Sequence, residues 1–112
     1  MTDTRLPAHL EIAGFLRAVE AAGGFGTVLQ RGERDAGTIV LVSTDRGEHA
    51  RLWERMPQID GSRRFTGTRE ADANNPAEFG DYLARRMNQD PDCWFMELDI
   101  PDAPRFIASL GT

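Results

Sequence analysis

The sequence predicts a single α+β domain over residues 1–112, with elements in the order α-β-β-β-(β)-α-β and helices packed on one face of a mostly antiparallel sheet. Three observations predict it. An early segment repeats its apolar residues at helical spacing, the middle alternates between apolar and polar positions around glycine-rich turns, and a proline-led second helix precedes a late apolar strand. A composition of 40% hydrophobic and 28% charged residues suits one globular core at this length, and no internal repeat or linker interrupts it.

The first helix is expected from about Pro7 to Ala22. Ile12, Phe15, Leu16 and Val19 form one stripe, with Glu11, Arg17 and Glu20 off it. Pro7 suits a first helical position, where its missing donor is no loss, and Gly23-Gly24 ends the helix by admitting a left-handed residue. Phe25, Thr27 and Leu29 then alternate with Gly26 and Val28, and the run Thr38 to Val42 is rich in β-branched residues, so both read as strands. The segment between them, RGERDAG at residues 31–37, has Gly32 and Gly37 around Asp35 and suits a hairpin connection of more than two residues.

A second turn signal, Thr44-Asp45-Arg46-Gly47, leads into a strand from His49 to Met56, completing a three-stranded antiparallel meander. Arg63 to Arg69 is a poorer fourth strand, weakened by Gly67. Asn75-Pro76-Ala77-Glu78 announces the second helix, with Asn75 as cap, Pro76 in the first position and Glu78 reaching back from the third. Phe79, Tyr82, Leu83 and Met87 supply its buried stripe, and Asp90-Pro91 stops it. Cys93 to Ile100 is read as a strand near the sheet centre, broken by Pro101 and Pro104 before a short edge at Arg105-Phe106-Ile107.

The stretch AAGGFGTVLQRGERDAGTIVL, followed far downstream by DPDCWFMELD, resembles the small bacterial family known as domain of unknown function 1491. The resemblance covers nearly the whole chain. It implies a stand-alone cytoplasmic domain and brings no activity, substrate or partner with it.

Charge narrows the function classes. The net charge is -5, and every one of the 13 basic residues is arginine. From Arg46 to Arg69 six arginines face three acids, whereas from Glu70 to Pro104 nine acids face two arginines. This asymmetry suits either a homo-oligomer in which the basic middle meets the acidic last third or one face tuned for an anionic partner, and a second copy or another protein is the expected partner. An acidic total argues against general nucleic-acid binding, and no apolar window approaches a membrane span. A soluble cytoplasmic protein is expected, with no membrane partner.

No recognisable catalytic motif is present, so the sequence leans against an enzyme, and no cofactor or metal is expected. In the loop motif, Glu33 and Asp35 are flanked by Arg31 and Arg34, which would compete with a metal for the carboxylates, and solvated or locally paired turn charges are the simpler reading. His9 and His49 have no metal-ligand spacing. A dyad of Cys93 with His49 would need the strands to bring the two together; Cys93 beside Trp94 is more simply a small buried hydrophobe. The GGFG at residues 23–26 leaves a helix and enters a strand, the reverse of a dinucleotide loop.

One binding constellation stands out. With alternation along the third strand, Arg51, Trp53 and Arg55 share a face with His49, and Arg63 or Arg64 on the next strand lies beside them. Guanidiniums around an exposed indole would take a small anion or a nucleotide by stacking and bidentate hydrogen bonds. The competing reading is a solvent face of acid-paired arginines over a half-buried Trp53. Two functions follow: a small interaction module that self-associates, or an anion- or nucleotide-binding protein that uses this face.

Overall fold

In the computed structural model, which describes residues 6–111, the elements run α1 (Ala8–Ala21), β1 (Phe25–Gln30), β2 (Ile39–Asp45), β3 (Glu48–Pro57), β4 (Arg63–Glu70), α2 (Pro76–Gln89), β5 (Trp94–Asp99) and α3 (Ala103–Ser109). The strands form one sheet of order β1-β5-β2-β3-β4. Three of the four pairings are antiparallel, and β2 with β5 is parallel. The expected α+β class, the element order up to β5 and the interior position of the last strand are all present.

Three expectations are corrected. First, β1 and β2 do not form a hairpin, because β5 lies between them. Periodicity identifies strands but says nothing about which strand fills the space beside them. Only β2, β3 and β4 make a meander. Second, the helices divide between the two faces. Ile12, Phe15 and Val19 of α1 and Ile107 of α3 pack with Leu41, Trp53, Phe65, Met96 and Leu98 on one side. Phe79, Tyr82, Leu83 and Met87 of α2 pack with Val40, Val42, Leu52 and Phe95 on the other. The unbroken apolar runs Ile39–Val42 and Trp94–Met96 are what two covered faces require, since successive side chains point to opposite sides. Third, the expected edge at Arg105-Phe106-Ile107 lies inside α3. Pro104 falls in that helix's first turn, where it removes no hydrogen bond.

Local signals fare well elsewhere. In α1, Ile12, Phe15 and Val19 are buried, Pro7 is the N-cap rather than the first helical residue, and Gly23 at φ 91° provides the left-handed exit. Pro76 opens α2, but Asn75 makes no side-chain cap bond, and the Glu78 carboxylate accepts from Arg69 instead. The β2–β3 turn has two central residues, Arg46 at φ 53° and Gly47 at φ 78°, between the paired Asp45 and Glu48. Two left-handed residues match the twist of the flanking strands.

Candidate functional site

The RGERDAG segment crosses the start of β5 to reach β2, and its backbone is engaged almost residue by residue. The Glu33 N–H donates to the Asp92 carbonyl at 2.8 Å, and the Glu33 carbonyl accepts from the Trp94 indole at 2.7 Å. The Arg34 and Asp35 carbonyls accept from the N–H groups of His9 and Ala8, each at 2.9 Å. Those two donors belong to the first turn of α1, which has no side-chain cap, so the loop supplies the missing acceptors. The Glu33 carboxylate turns inward on its own loop, accepting from the N–H groups of Asp35 and Ala36. Arg31 leans toward the Trp94 ring, 5.8 Å from its centroid, and Arg34 extends into solvent beside Asp35. The four charged residues of the motif therefore converge on no common point.

The arginine face of β3 is present, but its indole is not exposed. Trp53 is 7% exposed, and its Nε1–H donates to the Ser43 hydroxyl at 2.8 Å. Arg51 lies over that ring at 4.3 Å, with its Nε 3.5 Å from Glu70. Gly67 on β4 makes room for it: a Cβ there would lie 2.4 Å from the guanidinium. Arg55 is bound by both nitrogens to the Glu11 carboxylate of α1 and lies 4.6 Å above the Phe65 ring. Register places Arg63 beside Pro57, on the side of Phe65 and Arg55, and Arg64 beside Met56, on the opposite face. The expected stacking surface for a base is thus covered, and Arg51 and Arg55 bind acids of this chain.

The opposite face holds a second network that sequence periodicity does not reveal. Arg86 of α2 donates to Glu54 of β3 at 2.7 Å, to Tyr82 at 3.1 Å and to Asp90 at 3.3 Å. Arg69 of β4 lies 3.8 Å over the Tyr82 ring and binds Glu78 at 3.0 Å. Burial acts to raise the Glu54 pKa, but hydrogen bonds from Arg86 and Thr68 and the Arg86 charge outweigh it and leave the carboxyl below its ordinary value. The hydrogen bond to Glu54 holds the Arg86 guanidinium charged, its pKa raised. Its only traces in the sequence are the i, i+4 spacings of Tyr82 with Arg86 and of Arg86 with Asp90.

Two clefts lie at opposite ends of the sheet. The larger, about 800 Å³, opens beside the RGERDAG loop between the starts of β2 and β5 and the end of β3, with Arg55, Arg63, Arg86 and Cys93 on its walls. Cys93 is 6% exposed, and burial pushes its thiol pKa up, which is the condition of an inert buried thiol rather than an activated nucleophile. The smaller cleft, about 310 Å³, lies between the β2–β3 turn and the start of α3, and His49 lines it. Cys93 and His49 therefore sit at opposite ends of the sheet and form no dyad. At the smaller cleft β3 carries a bulge: Ser43 pairs with Arg51 and Asp45 with Glu48, leaving Thr44 opposite both His49 and Ala50. His49, at φ 58°, absorbs the irregularity. Among the described residues no group of three or more His, Cys, Asp or Glu is placed to hold a metal ion, and no helix is long and apolar enough to cross a membrane.

Known proteins share this architecture. The chain is similar to a DUF1491 family protein from Caulobacter crescentus CB15, whose crystal structure matches with a TM-score of 0.75 at 29% identity over 91% of this chain and 94% of that one. An NMR structure of a DUF1491 family protein from the same organism matches at 0.72 and 27% identity over 94% of each chain. The solution structure of protein Atu0922 from A. tumefaciens matches at 0.70 and 26% identity, covering 93% of both. No curated protein matches. The family model described as "Protein of unknown function (DUF1491)" spans residues 6–108, and the chain belongs to that family.

Proposed function

We propose that this chain is a small cytoplasmic interaction module that self-associates through the outer edge of β1. The observation that carries the reading is the contrast between the two edges of the sheet. β4 bears Arg63, Arg64, Arg69 and Glu70, charges of the kind that keep an open edge from pairing. β1, Phe25–Gln30, bears no charge at all, and its only strand neighbour among the described residues is β5. Phe25 is 74% exposed and Leu29 is 37% exposed, on the side away from Gly26 and Val28, which face α1.

A second copy is the occupant that fits. Two antiparallel β1 strands centred on Thr27 would set Phe25 of each against Leu29 of the other, with every residue meeting its own symmetry mate's uncharged edge. The charge asymmetry along the sequence does not favour a different arrangement, because Arg51–Glu70 and Arg69–Glu78 join the basic and acidic segments within one chain.

Sedimentation equilibrium from micromolar to submillimolar concentration tests the proposal. The expected outcome is a monomer–dimer equilibrium that Thr27→Lys shifts to monomer, because two like charges then meet at the two-fold axis. A chain that stays monomeric throughout, or a dimer indifferent to Thr27→Lys, overturns it.

A further inference from the structure

We infer that the sheet face beside α2 is a docking site for an amphipathic helix of a partner protein that carries lysine or arginine among its apolar residues. The opposite face is covered by both α1 and α3, whereas among the described elements α2 alone packs on this one. A helix is about 10 Å across and strands lie about 4.8 Å apart, so one helix covers roughly two strands of the five. Glu78, Tyr82 and Arg86 hold α2 over the β3–β4 side through Arg69 and Glu54. The strip over β1 and the second half of β5 is left bare. Phe25, Thr27 and Leu29 are exposed there, and Glu97 and Asp99 are half-buried. Alternation sets these residues opposite Val28, Met96 and Leu98, which pack on the α1 side.

Charge and shape select the occupant. β1 and β5 carry no basic residue. Among the described residues Glu97 has no hydrogen-bond or ion-pair partner, and the Asp99 carboxylate accepts from the Arg46 N–H alone. A cation held among apolar side chains pairs well with such an acid. A second copy presenting the same face would bring like carboxylates together, and an anionic membrane surface would be repelled. The wall of the strip is the free flank of α2. Since Tyr82 and Arg86 turn toward β3 and β4, Gly80, Ala84 and Met87 lie on the flank toward β1. Gly80 and Ala84 are small and exposed, a Cβ at Gly80 would meet nothing within 4 Å, and small side chains let a second helix lie close. The β1 pairing proposed above uses the outer backbone of that strand and leaves this face open, so neither reading rests on the other.

The probe is an end-capped peptide of leucine and lysine, 14 residues long to match α2, with its leucines at i, i+3, i+4 and i+7. Titrated into the full chain and followed by NMR, it is expected to shift the amides of Phe25, Leu29, Glu97, Gly80 and Ala84 saturably. The amides of Ile12 and Phe65, on the covered face, should stay still and report that each variant is folded. Glu97→Gln and Phe25→Ser are each expected to weaken binding by about fivefold or more. Glu20→Gln, which removes an exposed acid from α1, is expected to leave binding unchanged. Equal binding of a peptide with glutamate in place of lysine, shifts centred off this face, undiminished binding in the Glu97 and Phe25 variants, or an equal loss in Glu20→Gln would each overturn the inference. So would shifts at Gly80 and Ala84 on concentrating the chain alone, which would assign the face to a second copy.

Discussion

Gly32 and Gly37 show how little of the RGERDAG motif is about its charges. Neither has a positive φ; both are small because the chain passes over the Asp92 carbonyl, where a Cβ would lie 2.3 Å away at position 32 and 2.6 Å away at position 37. Gly32→Ala forces backbone against backbone and is expected to destabilise by about 1–3 kcal/mol. Gly80→Ala makes the same chemical change on the exposed side of α2, where nothing lies within 4 Å, and is expected to stabilise by about 0.5–1 kcal/mol. Urea unfolding of both variants checks the pair. Composition and flanking alternation suffice to read RGERDAG as a connection between two strands, though not the hairpin expected. They could not show that the glycines serve close approach rather than turn conformation, because the approaching carbonyl belongs to Asp92, far along the chain. Trp53 was opaque for the same reason: alternation assigns a side and puts Arg51 beside it, but the α1 side chains that bury the ring and the Ser43 hydroxyl that takes its N–H lie on other elements.

Whole elements are tied together by side chains that periodicity ranks as surface. Glu54, Arg86 and Tyr82 join β3 to α2, and Arg69 and Glu78 join β4 to the same helix. Glu54 has a folded pKa below its unfolded value, so its contribution to stability is present above about pH 4.3 and is lost as pH falls through the lower folded value. Urea denaturation across that range is expected to show a steeper acid loss in the parent than in Glu54→Gln, which gives up the charge at every pH. Equal acid limbs would mean that the network does not couple strand to helix. At this scale both long helices and all five strands were legible, α1, α2, β1 and β3 from their apolar period, β2 and β5 from unbroken apolar runs, and β4 as a poorer strand. α3 was not, since Pro101 and Pro104 read as breakers, and a seven-residue helix is too short to display a period. The division of helices between faces was missed: helices were expected on one face, although the solid apolar runs in β2 and β5 are what two covered faces require.

Across the whole molecule, protection from solvent should fall from the middle of the sheet outward. β5 is hydrogen-bonded on both sides and contributes Phe95, Met96 and Leu98, none of them measurably exposed. Native-state hydrogen exchange is therefore expected to be slowest in β5 and β2 and fastest in β4 and the outward amides of β1. If copies associate as proposed, the β1 amides alone gain protection as concentration rises.

The place of β5 between β1 and β2 also sets a timetable for synthesis. By the time residues 1–93 have been made, α1, β1 and the β2–β4 meander exist, yet the strand that joins them has not. A nascent chain must hold two unjoined pieces, each with an open apolar border, until residues 94–99 arrive to close the seam. Completion of the fold is thereby deferred until residues 94–99 have been made, and a message truncated before Cys93 would yield fragments fit for degradation or aggregation rather than a smaller working domain.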